Sequence, residues 1–262
     1  MENLEKLLEK IKRKEVAVGA HVSGNDSQFT EILGNSGVDY LWIDTEHTAI
    51  DRYNVLLHLI AARAAGVPAI VRIPWNDMVL AKPILEMGPQ GIIFPFISTA
   101  EEAKYAIDSC MYPPDGSRGY GPKRAVKHGY ISSDEYINVY TKKLLKIIQI
   151  ETKSAVDNIK EIASVPGVNM LVIGPNDLSG SYGKLLKVTD PEMIKVYKHV
   201  IDVVHACGKP IMVSTGDCSE KSIEMWLKLG IDLVTFGSDA SFVANGAKSM
   251  LAAVNKGIAN IK

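Results

Sequence analysis

Residues 147–177, IIQIETKSAVDNIKEIASVPGVNMLVIGPND, contain the clearest indication of the fold. Two short apolar runs, Ile147–Glu151 and Met170–Gly174, flank a helical pattern over Ser154–Val165. Both runs are rich in β-branched residues and almost continuously apolar, which is typical of parallel strands buried on both faces. Since parallel strands need a crossover, usually a helix, this stretch predicts a parallel sheet covered by helices.

The same strand–helix unit recurs along the whole chain. The other strand-like runs are Val16–His21, Tyr40–Asp44, Ala69–Ile73, Gly91–Phe96, Pro210–Ser214 and Asp232–Gly237. The other helical patterns cover Asp51–Ala65, Thr99–Cys110, Pro191–Cys207 and Ser219–Leu229. Eight such units in one chain predict an α/β fold of the (β/α)8 TIM barrel type. A doubly wound open sheet is the alternative, but it calls for G-x-G-x-x-G after the first strand, where the chain reads VAVGAHVSGND.

The chain shows no sign of a second domain. It has no Pro/Gly/Ser-rich linker and no low-complexity tract, so we expect residues 1–262 to form one barrel domain. Near the N-terminus, apolar residues are spaced as on one face of a helix: Leu4, Leu7, Leu8 and Ile11. We expect this amphipathic helix to close the bottom of the barrel.

Composition excludes several classes of protein. Lys and Arg number 29 against 30 Asp and Glu, a net charge of −1, which gives no electrostatic footprint for nucleic acid or an anionic membrane. The 3 cysteines, Cys110, Cys207 and Cys218, fit neither a disulfide framework nor a zinc site. The N-terminus lacks the apolar region of a signal peptide, and no apolar stretch approaches the ~20 residues that span a bilayer. We therefore expect a cytoplasmic protein.

Polar clusters stand at the ends of four predicted strands. They are Asp44–His47, Arg72 with Pro74–Asp77, the pair Gln149 and Glu151 on one strand face, and Asn176–Asp177. Catalytic residues of such barrels lie at these carboxyl ends. Because buried charge is costly unless it is paired or metal-bound, the clusters indicate a functional site. A structural salt-bridge network is the alternative.

The residue types at these ends point to metal-assisted chemistry. Glu151 and Asp177 stand at neighbouring strand ends, and two carboxylates completed by water and substrate make a Mg²⁺- or Mn²⁺-type site. Asp177 could instead cap a helix. Arg72 suits an oxyanion or a carboxylate, although it could simply pair with Glu46 or Glu151.

Histidine and lysine positions narrow the choice of mechanism. His47 follows two acidic residues at a strand end, which makes it the best candidate for a general base. His21 ends the first strand and would line the site in a secondary role. Lys82 lies in a helical pattern and no lysine stands at a strand end, so a Schiff-base mechanism lacks its nucleophile.

Longer motifs resemble the HpcH/HpaI aldolase/citrate lyase family, in its metal-dependent, class II pyruvate aldolase branch. The matching stretches include GVDYLWIDTEHTAID, VPAIVRIPWNDMVLAKPILEMGPQGIIFPFISTAEEA, YPPDGSRGYGPKRA and IIQIETKSAVDNIKEIASVPGVNMLVIGPNDLSGSYG. They run in family order from about residue 16 to 183. The resemblance implies a pyruvate-type TIM barrel with a helix swapped between subunits, commonly assembled as a hexamer, a trimer of dimers. It also implies reversible cleavage of a 4-hydroxy-2-keto acid to pyruvate and an aldehyde, through a metal-stabilised enolate.

The resemblance also implies a role for each site residue. Glu151 and Asp177 resemble the ligands of a divalent cation, Mg²⁺, Mn²⁺ or Co²⁺. Arg72 would bind the keto oxygen, and His47 would act as acid and base with a metal-bound water. The pyruvate would meet Gln149 and the backbone of Gly174, Pro175 and Asn176, and Asp44 resembles the acid that reaches a neighbouring site.

One position departs from the family pattern. Where the family usually has the aspartate partner of its histidine, this chain has Glu86 in LEMGPQ, and Pro89 in the same segment is also atypical. We expect Glu86 to orient His47.

Two other functions remain open at this point. One is a citryl- or malyl-CoA lyase of the same superfamily, whose basic CoA surface would have to be built on Lys123, Arg124 and Lys127. The other is a non-catalytic barrel that binds a carboxylate ligand.

A longer connection, Ile97 to Lys146, contains YPPDGSRGYGPKRA (residues 112–125), which is typical of a functional loop.

Overall fold

Eight parallel strands close into a barrel in the computed structural model, which describes residues 2–261. Each strand pairs with its sequence neighbours, and β8 closes the barrel against β1. The strands are β1 (Ala17–Val22), β2 (Tyr40–Asp44), β3 (Ala69–Arg72), β4 (Gly91–Phe94), β5 (Leu145–Ile150), β6 (Met170–Ile173), β7 (Ile211–Thr215) and β8 (Leu233–Ser238). The predicted TIM barrel is confirmed, and the doubly wound sheet is excluded.

Helices connect the strands and surround the barrel. They are α1 (Glu2–Lys12), α2 (Ser27–Asn35), α3 (Arg52–Ala64), α4 (Met78–Met87), α5 (Ala100–Cys110), α6 (Ser133–Glu135), α7 (Thr141–Lys143), α8 (Lys153–Asp157), α9 (Ile159–Ser164), α10 (Pro175–Ser181), α11 (Pro191–Ala206), α12 (Glu220–Leu229) and α13 (Asp239–Ile261). A 3₁₀ turn (Lys127–Gly129) and a π-helical turn (Tyr136–Tyr140) lie in the long connection before β5. The helix expected over Ser154–Val165 is two short helices, because the chain leaves helical geometry at Asn158.

The barrel interior is a separate apolar cluster closed by α1. Leu4 and Leu7 are 1% and 2% exposed and belong to one cluster with inward-facing side chains of all eight strands. Ile11 packs against its edge, whereas Leu8 is exposed. The expectation that an N-terminal amphipathic helix plugs the barrel is therefore confirmed.

A larger apolar cluster fills the space between the barrel and its helices. It contains the outward-facing side chains of the strands, such as Ile148 and Ile150 of β5, and the buried faces of α3, α4, α5 and α11. The last helix behaves differently, because α13 is exposed along nearly all of its length. Its apolar side chains at Met250, Leu251 and Val254 are 74%, 61% and 58% exposed.

Two further observations concern the helices and the cysteines of the described residues. Across residues 2–261 no helix is both long and apolar enough to cross a membrane. Cys110, Cys207 and Cys218 are free thiols, so none of them forms a disulfide.

Candidate active site

Strand alternation delivers the polar side chains to the barrel mouth. In β2 Tyr40 and Trp42 face the interior, so the period of two places Asp44 on the same side at the carboxyl end. In β5 Leu145 and Ile147 face the interior, and Gln149 follows them on that face. Alternation thus brings residues from separate parts of the sequence to one end of the barrel.

Arg72 is the centre of the resulting network. Its Nε donates to Asp44 Oδ1 at 3.0 Å and its Nη2 to Asp44 Oδ2 at 2.7 Å, a bidentate pair. Its Nη1 lies 2.8 Å from Glu46 Oε2. The guanidinium also stands over the Trp42 ring, 5.2 Å from its centroid. Two carboxylates and an aromatic face therefore fix the orientation of a side chain that is only 8% exposed.

The two carboxylates beside Arg72 respond to it differently. Burial acts to raise the pKa of Asp44, but the hydrogen bonds and the charge of Arg72 outweigh it and hold that pKa below its usual value. Burial raises the pKa of Glu46 despite the same guanidinium, and the charges of Asp44 and Asp177 add to the rise. The pairing of Arg72 with Glu46, which was open from the sequence, is present, and Arg72 pairs with Asp44 as well.

Glu151 lies just beyond β5 and is 1% exposed. Its Oε1 accepts from Gln149 Nε2 at 2.5 Å, and its Oε2 accepts from the Phe96 backbone N–H at 3.1 Å. Burial raises the pKa of Glu151 to about 7, with Glu46 and Asp177 adding to the rise. The raised pKa means that the donors and positive charges of the chain do not fully offset the cost of burying the ionised carboxylate.

The turn from β6 into α10 leaves room for that carboxylate. Gly174 caps α10, and a Cβ there would lie 2.5 Å from Glu151 Oε1 and 3.0 Å from Gln149 Nε2. Pro175 begins the helix, where its missing N–H costs nothing. Asp177 lies within the first turn of α10 and is not its cap, so the helix-cap reading of Asp177 is wrong.

The charge balance at the mouth fits a divalent cation. Arg72 carries one positive charge against the carboxyl groups of Asp44, Glu46, Glu151 and Asp177. Within residues 2–261 no three His, Cys, Asp or Glu side chains are arranged to hold a metal ion. A two-carboxylate site that leaves most positions to water and substrate, as Mg²⁺ prefers, is consistent with both observations.

His47 stands at the rim of the mouth. Its side chain is 60% exposed, and its Nε2 lies 3.9 Å from Glu46 Oε2. Glu46 is therefore the carboxylate beside His47 within this chain, a position that the D-x-E-H spacing could have indicated.

The expected pairing of Glu86 with His47 is not found within the chain. Glu86 lies in the last turn of the 10-residue helix α4 and accepts from Arg118 Nη2 at 3.1 Å. A helix that follows a strand begins at the mouth and runs back, and ten residues carry it about 15 Å away. Glu86 therefore lies at the opposite end of the barrel. The loop over residues 112–125, which contains Arg118, lies at the same end, because its Ala125 N–H donates to Glu86 O.

Asp44 has a partner within its own chain. It is bound bidentately to Arg72, and its reach to a neighbouring site, which the resemblance implies, stays a prediction.

Two lysines, Lys82 and Lys146, are placed away from these groups. Lys82 is exposed on α4. Lys146 lies within β5, which begins two residues earlier than predicted, but its Nζ donates to Leu144 O near the start of the strand. Neither of these two amines stands at the mouth.

His21 enters the mouth from β1 and was expected to line the site. Its Nε2 lies 2.9 Å from Ser214 Oγ, and its ring is 4.9 Å from that of Trp42. Burial lowers the pKa of His21 to about 4. The contributions of Ser214 and of the Phe96 backbone were missed by sequence reasoning, because a hydroxyl and an amide carry no distinctive motif.

Comparison with known proteins agrees with this geometry. The family model described as HpcH/HpaI aldolase/citrate lyase matches residues 17–246. The chain belongs to this family. Membership makes the protein a carbon–carbon lyase of the aldolase type, and the family generally depends on a divalent metal ion.

Individual relatives cover most of this HpcH/HpaI family chain. A 5-keto-4-deoxy-D-glucarate aldolase from Shigella boydii serotype 18 is 32% identical over 227 residues, which are 86% of this chain and 87% of the relative. The crystal structure of a family protein from Burkholderia cenocepacia J2315 matches with a TM-score of 0.88 and 28% identity, covering 95% of this chain and 99% of that one. The citrate synthase SbnG matches with a TM-score of 0.81 and 26% identity, covering 95% and 96%.

Proposed function

We propose that this family member catalyses reversible aldol cleavage of a 4-hydroxy-2-keto acid to pyruvate and an aldehyde at the barrel mouth. The observation that carries the proposal is the orientation of Arg72 beside Glu151. Arg72 has five N–H donors, and two of them, on Nε and Nη2, donate to Asp44. The other donors, including those on Nη1 near Glu46, remain for a substrate oxygen.

The names of the relatives suggest the substrate class. The relative described above is named for a keto-deoxy sugar diacid, 5-keto-4-deoxy-D-glucarate. We propose hydroxylated 2-keto acids with a second polar end as the first substrates to test.

Arg72 would stabilise the charge that develops during cleavage. As the C3–C4 bond breaks, negative charge moves onto the keto oxygen and pyruvate leaves as its enolate. A guanidinium already held by Asp44 and Glu46 needs no reorganisation at that moment, which is the basis of electrostatic preorganisation. In this scheme Asp44 orients Arg72.

His47 would carry the proton. The C4 hydroxyl must lose its proton when the aldehyde forms, and an imidazole at the rim, beside Glu46, is suited to accept it. Its 60% exposure also allows the proton to be exchanged with water.

Glu151 and Asp177 would hold a divalent cation, Mg²⁺, Mn²⁺ or Co²⁺. When bound, the cation supplies Lewis-acid polarisation of the keto acid. Gln149 keeps Glu151 oriented through its Nε2 and stands where it can contact pyruvate. The keto-acid carboxylate would lie along the backbone of Gly174, Pro175 and Asn176 and accept from the Asn176 N–H, since the first N–H groups of a helix lack helical acceptors; Pro175 has no N–H, and the Gly174 N–H donates to Ile150 O.

The acyl-CoA lyase alternative is less well supported. One of the three cations that it would need, Arg124, donates to Met87 O and, at 3.2 Å, to Leu59 O. A guanidinium that caps helix carbonyls in this way is not free for a phosphate.

The proposal is tested by pyruvate release from a panel of 4-hydroxy-2-keto acids with and without added Mn²⁺. We expect metal-dependent release, and a fall of about 10²–10⁴ in turnover for His47→Ala. His199→Ala, which changes an exposed histidine of α11, is the matched control and should retain full turnover. Full turnover of His47→Ala would remove His47 from the proton transfer.

We also propose that α13 packs on a second copy of the chain, as in a homo-oligomer with swapped helices. Its apolar side chains recur at helical spacing on an exposed surface, with Val254 and Ile258 58% and 50% exposed. On the chain's own barrel Val18 of β1 is also exposed, by 37%.

Sedimentation of a variant with Met250, Val254 and Ile258 changed to Ser tests this assembly. We expect loss of the oligomer with the barrel still folded by circular dichroism. Exposed Val139, 42% exposed and far from α13 in sequence, gives the control Val139→Ser. An unchanged oligomer in the α13 variant would refute the packing of this helix on a neighbour.

A further inference from the structure

Phe96 has an unusual backbone conformation at the barrel mouth. Its φ is +54°, in the left-handed region that residues other than Gly rarely adopt. The residue comes directly after β4 and Pro95, and the next residue, Ile97, is fully buried. Such a conformation persists only where the surrounding structure holds it.

The conformation directs one N–H at the proposed metal ligand. Phe96 N donates to Glu151 Oε2 at 3.1 Å, while Gln149 Nε2 donates to Oε1. One donor on each oxygen fixes the plane of the carboxylate and leaves a lone pair on each oxygen for a cation. Hydrogen bonds to an ionised carboxylate are among the strong ones in proteins.

An aromatic contact holds Phe96 in place. Its ring stacks on Trp75, with the centroids 5.6 Å apart and the planes at 28°. Trp75 lies in the loop after β3 and is 56% exposed. The stack joins the loops after β3 and β4. It explains why an indole that is not part of the core stands at this position.

We propose that Phe96 is a positioning residue for Glu151 and that Trp75 is its anchor. Neither side chain touches the reacting atoms in this account. The inference rests on the proposed function only in taking Glu151 as a ligand of the divalent cation.

The test compares two substitutions at position 96. Ala removes the ring but still disfavours a positive φ, whereas Gly removes the ring and adopts a positive φ freely. We expect Phe96→Ala to bind Mn²⁺ about tenfold more weakly, since partners that orient metal ligands typically contribute 10–100-fold to metal affinity. Phe96→Gly should stay within about threefold of the wild type, because Gly restores the direction of the N–H.

Mn²⁺ binding to the full chain, without substrate, is measured by electron paramagnetic resonance. Trp75→Ala should weaken binding in the wild-type background and have no further effect in Phe96→Gly. Lys14, at the far end of the barrel after α1, also has a positive φ of 58° and provides the control. Lys14→Gly should change the thermal midpoint without changing Mn²⁺ affinity.

Each outcome decides the question. Equal Mn²⁺ affinity in Phe96→Ala and the wild type, or equal weakening in the Ala and Gly variants, would overturn the inference. If Glu151→Gln loses Mn²⁺ in the same series, Glu151 remains a ligand and only the role of Phe96 fails. If the wild type itself binds no Mn²⁺, both the ligand assignment and the inference are overturned.

Discussion

At the scale of single residues, the geometry of Arg72 carries the most chemistry. Arg72→Lys keeps one positive charge between Asp44 and Glu46 but loses the bidentate fork. We expect turnover to fall by about 10²–10³, the loss typical for removal of one oxyanion donor. The measurement is kcat for pyruvate release, with thermal unfolding as the check on folding.

Arg72→Ala should behave differently. It leaves two buried carboxylates without a partner, and breaking a buried ion pair typically costs roughly 3–5 kcal/mol in the free energy of unfolding. Near-normal kcat/KM in the folded Arg72→Lys variant would contradict a role for Arg72 in stabilising the enolate.

His21 predicts a pH dependence of stability. Its pKa is about 4 in the folded chain, whereas an unfolded histidine binds its proton below about pH 6.5. Lowering the pH from 6.5 towards 4 therefore protonates only the unfolded chain, and the folded state loses up to about 1.4 kcal/mol per pH unit. Nearby Asp44 and Asp239 favour protonation of the folded ring and Arg72 opposes it.

The comparison uses His21→Asn, which does not titrate and can still bond Ser214. Thermal midpoints at pH 7.5 and 5.0 should show a larger drop for the wild type than for the variant. Equal drops would mean that His21 is protonated in the folded state.

Much of the site could be predicted at this scale because strands alternate. Asp44, Arg72, Gln149 and Glu151 end strands of known periodicity, so their meeting at one end of a barrel follows from the sequence. The partner of His47 could not be predicted in the same way. Glu86 matches a motif position, but its place at the end of a helix depends on the direction of α4.

At the scale of elements, α1 makes a specific prediction. Leu7 is 2% exposed inside the barrel plug and Leu8 is 38% exposed on the same helix. Leu7→Ala should lower the free energy of unfolding by about 2–5 kcal/mol, the range for buried leucines. Leu8→Ala is the matched control and should change it by about 0.5 kcal/mol or less, as at most surface positions. Similar losses in both variants would contradict the plug.

The elements were predictable to different degrees. All eight strands could be predicted from continuous apolar runs. Helix α11 could be predicted from its helical periodicity, which begins after the N-cap Asp190 and ends at Cys207. The break at Asn158 between α8 and α9 and the short helical turns over residues 127–143 were not predicted. Such segments depend on contacts with residues distant in sequence; for example, Asn158 Nδ2 donates to Ser98 O at 2.9 Å. Local periodicity cannot indicate these contacts.

At the scale of the whole molecule, the residues that stabilise the barrel and the residues of the candidate active site lie in different places. Apolar side chains and α1 fill its interior and one end, and the charged groups gather at the other. A site confined to one end can lose its cation without loss of the core. Metal removal should therefore affect turnover and leave the fold intact.

Pyruvate release by the chelated protein tests directly whether cleavage depends on a divalent cation. After exhaustive chelation, with metal loss verified by elemental analysis, we expect a folded barrel without turnover, and Mn²⁺, Mg²⁺ or Co²⁺ should restore the activity. Glu151→Gln keeps the shape of the side chain but not its charge, so added Mn²⁺ should fail to restore it. Full turnover by wild-type protein that contains no metal would contradict a metal-dependent mechanism.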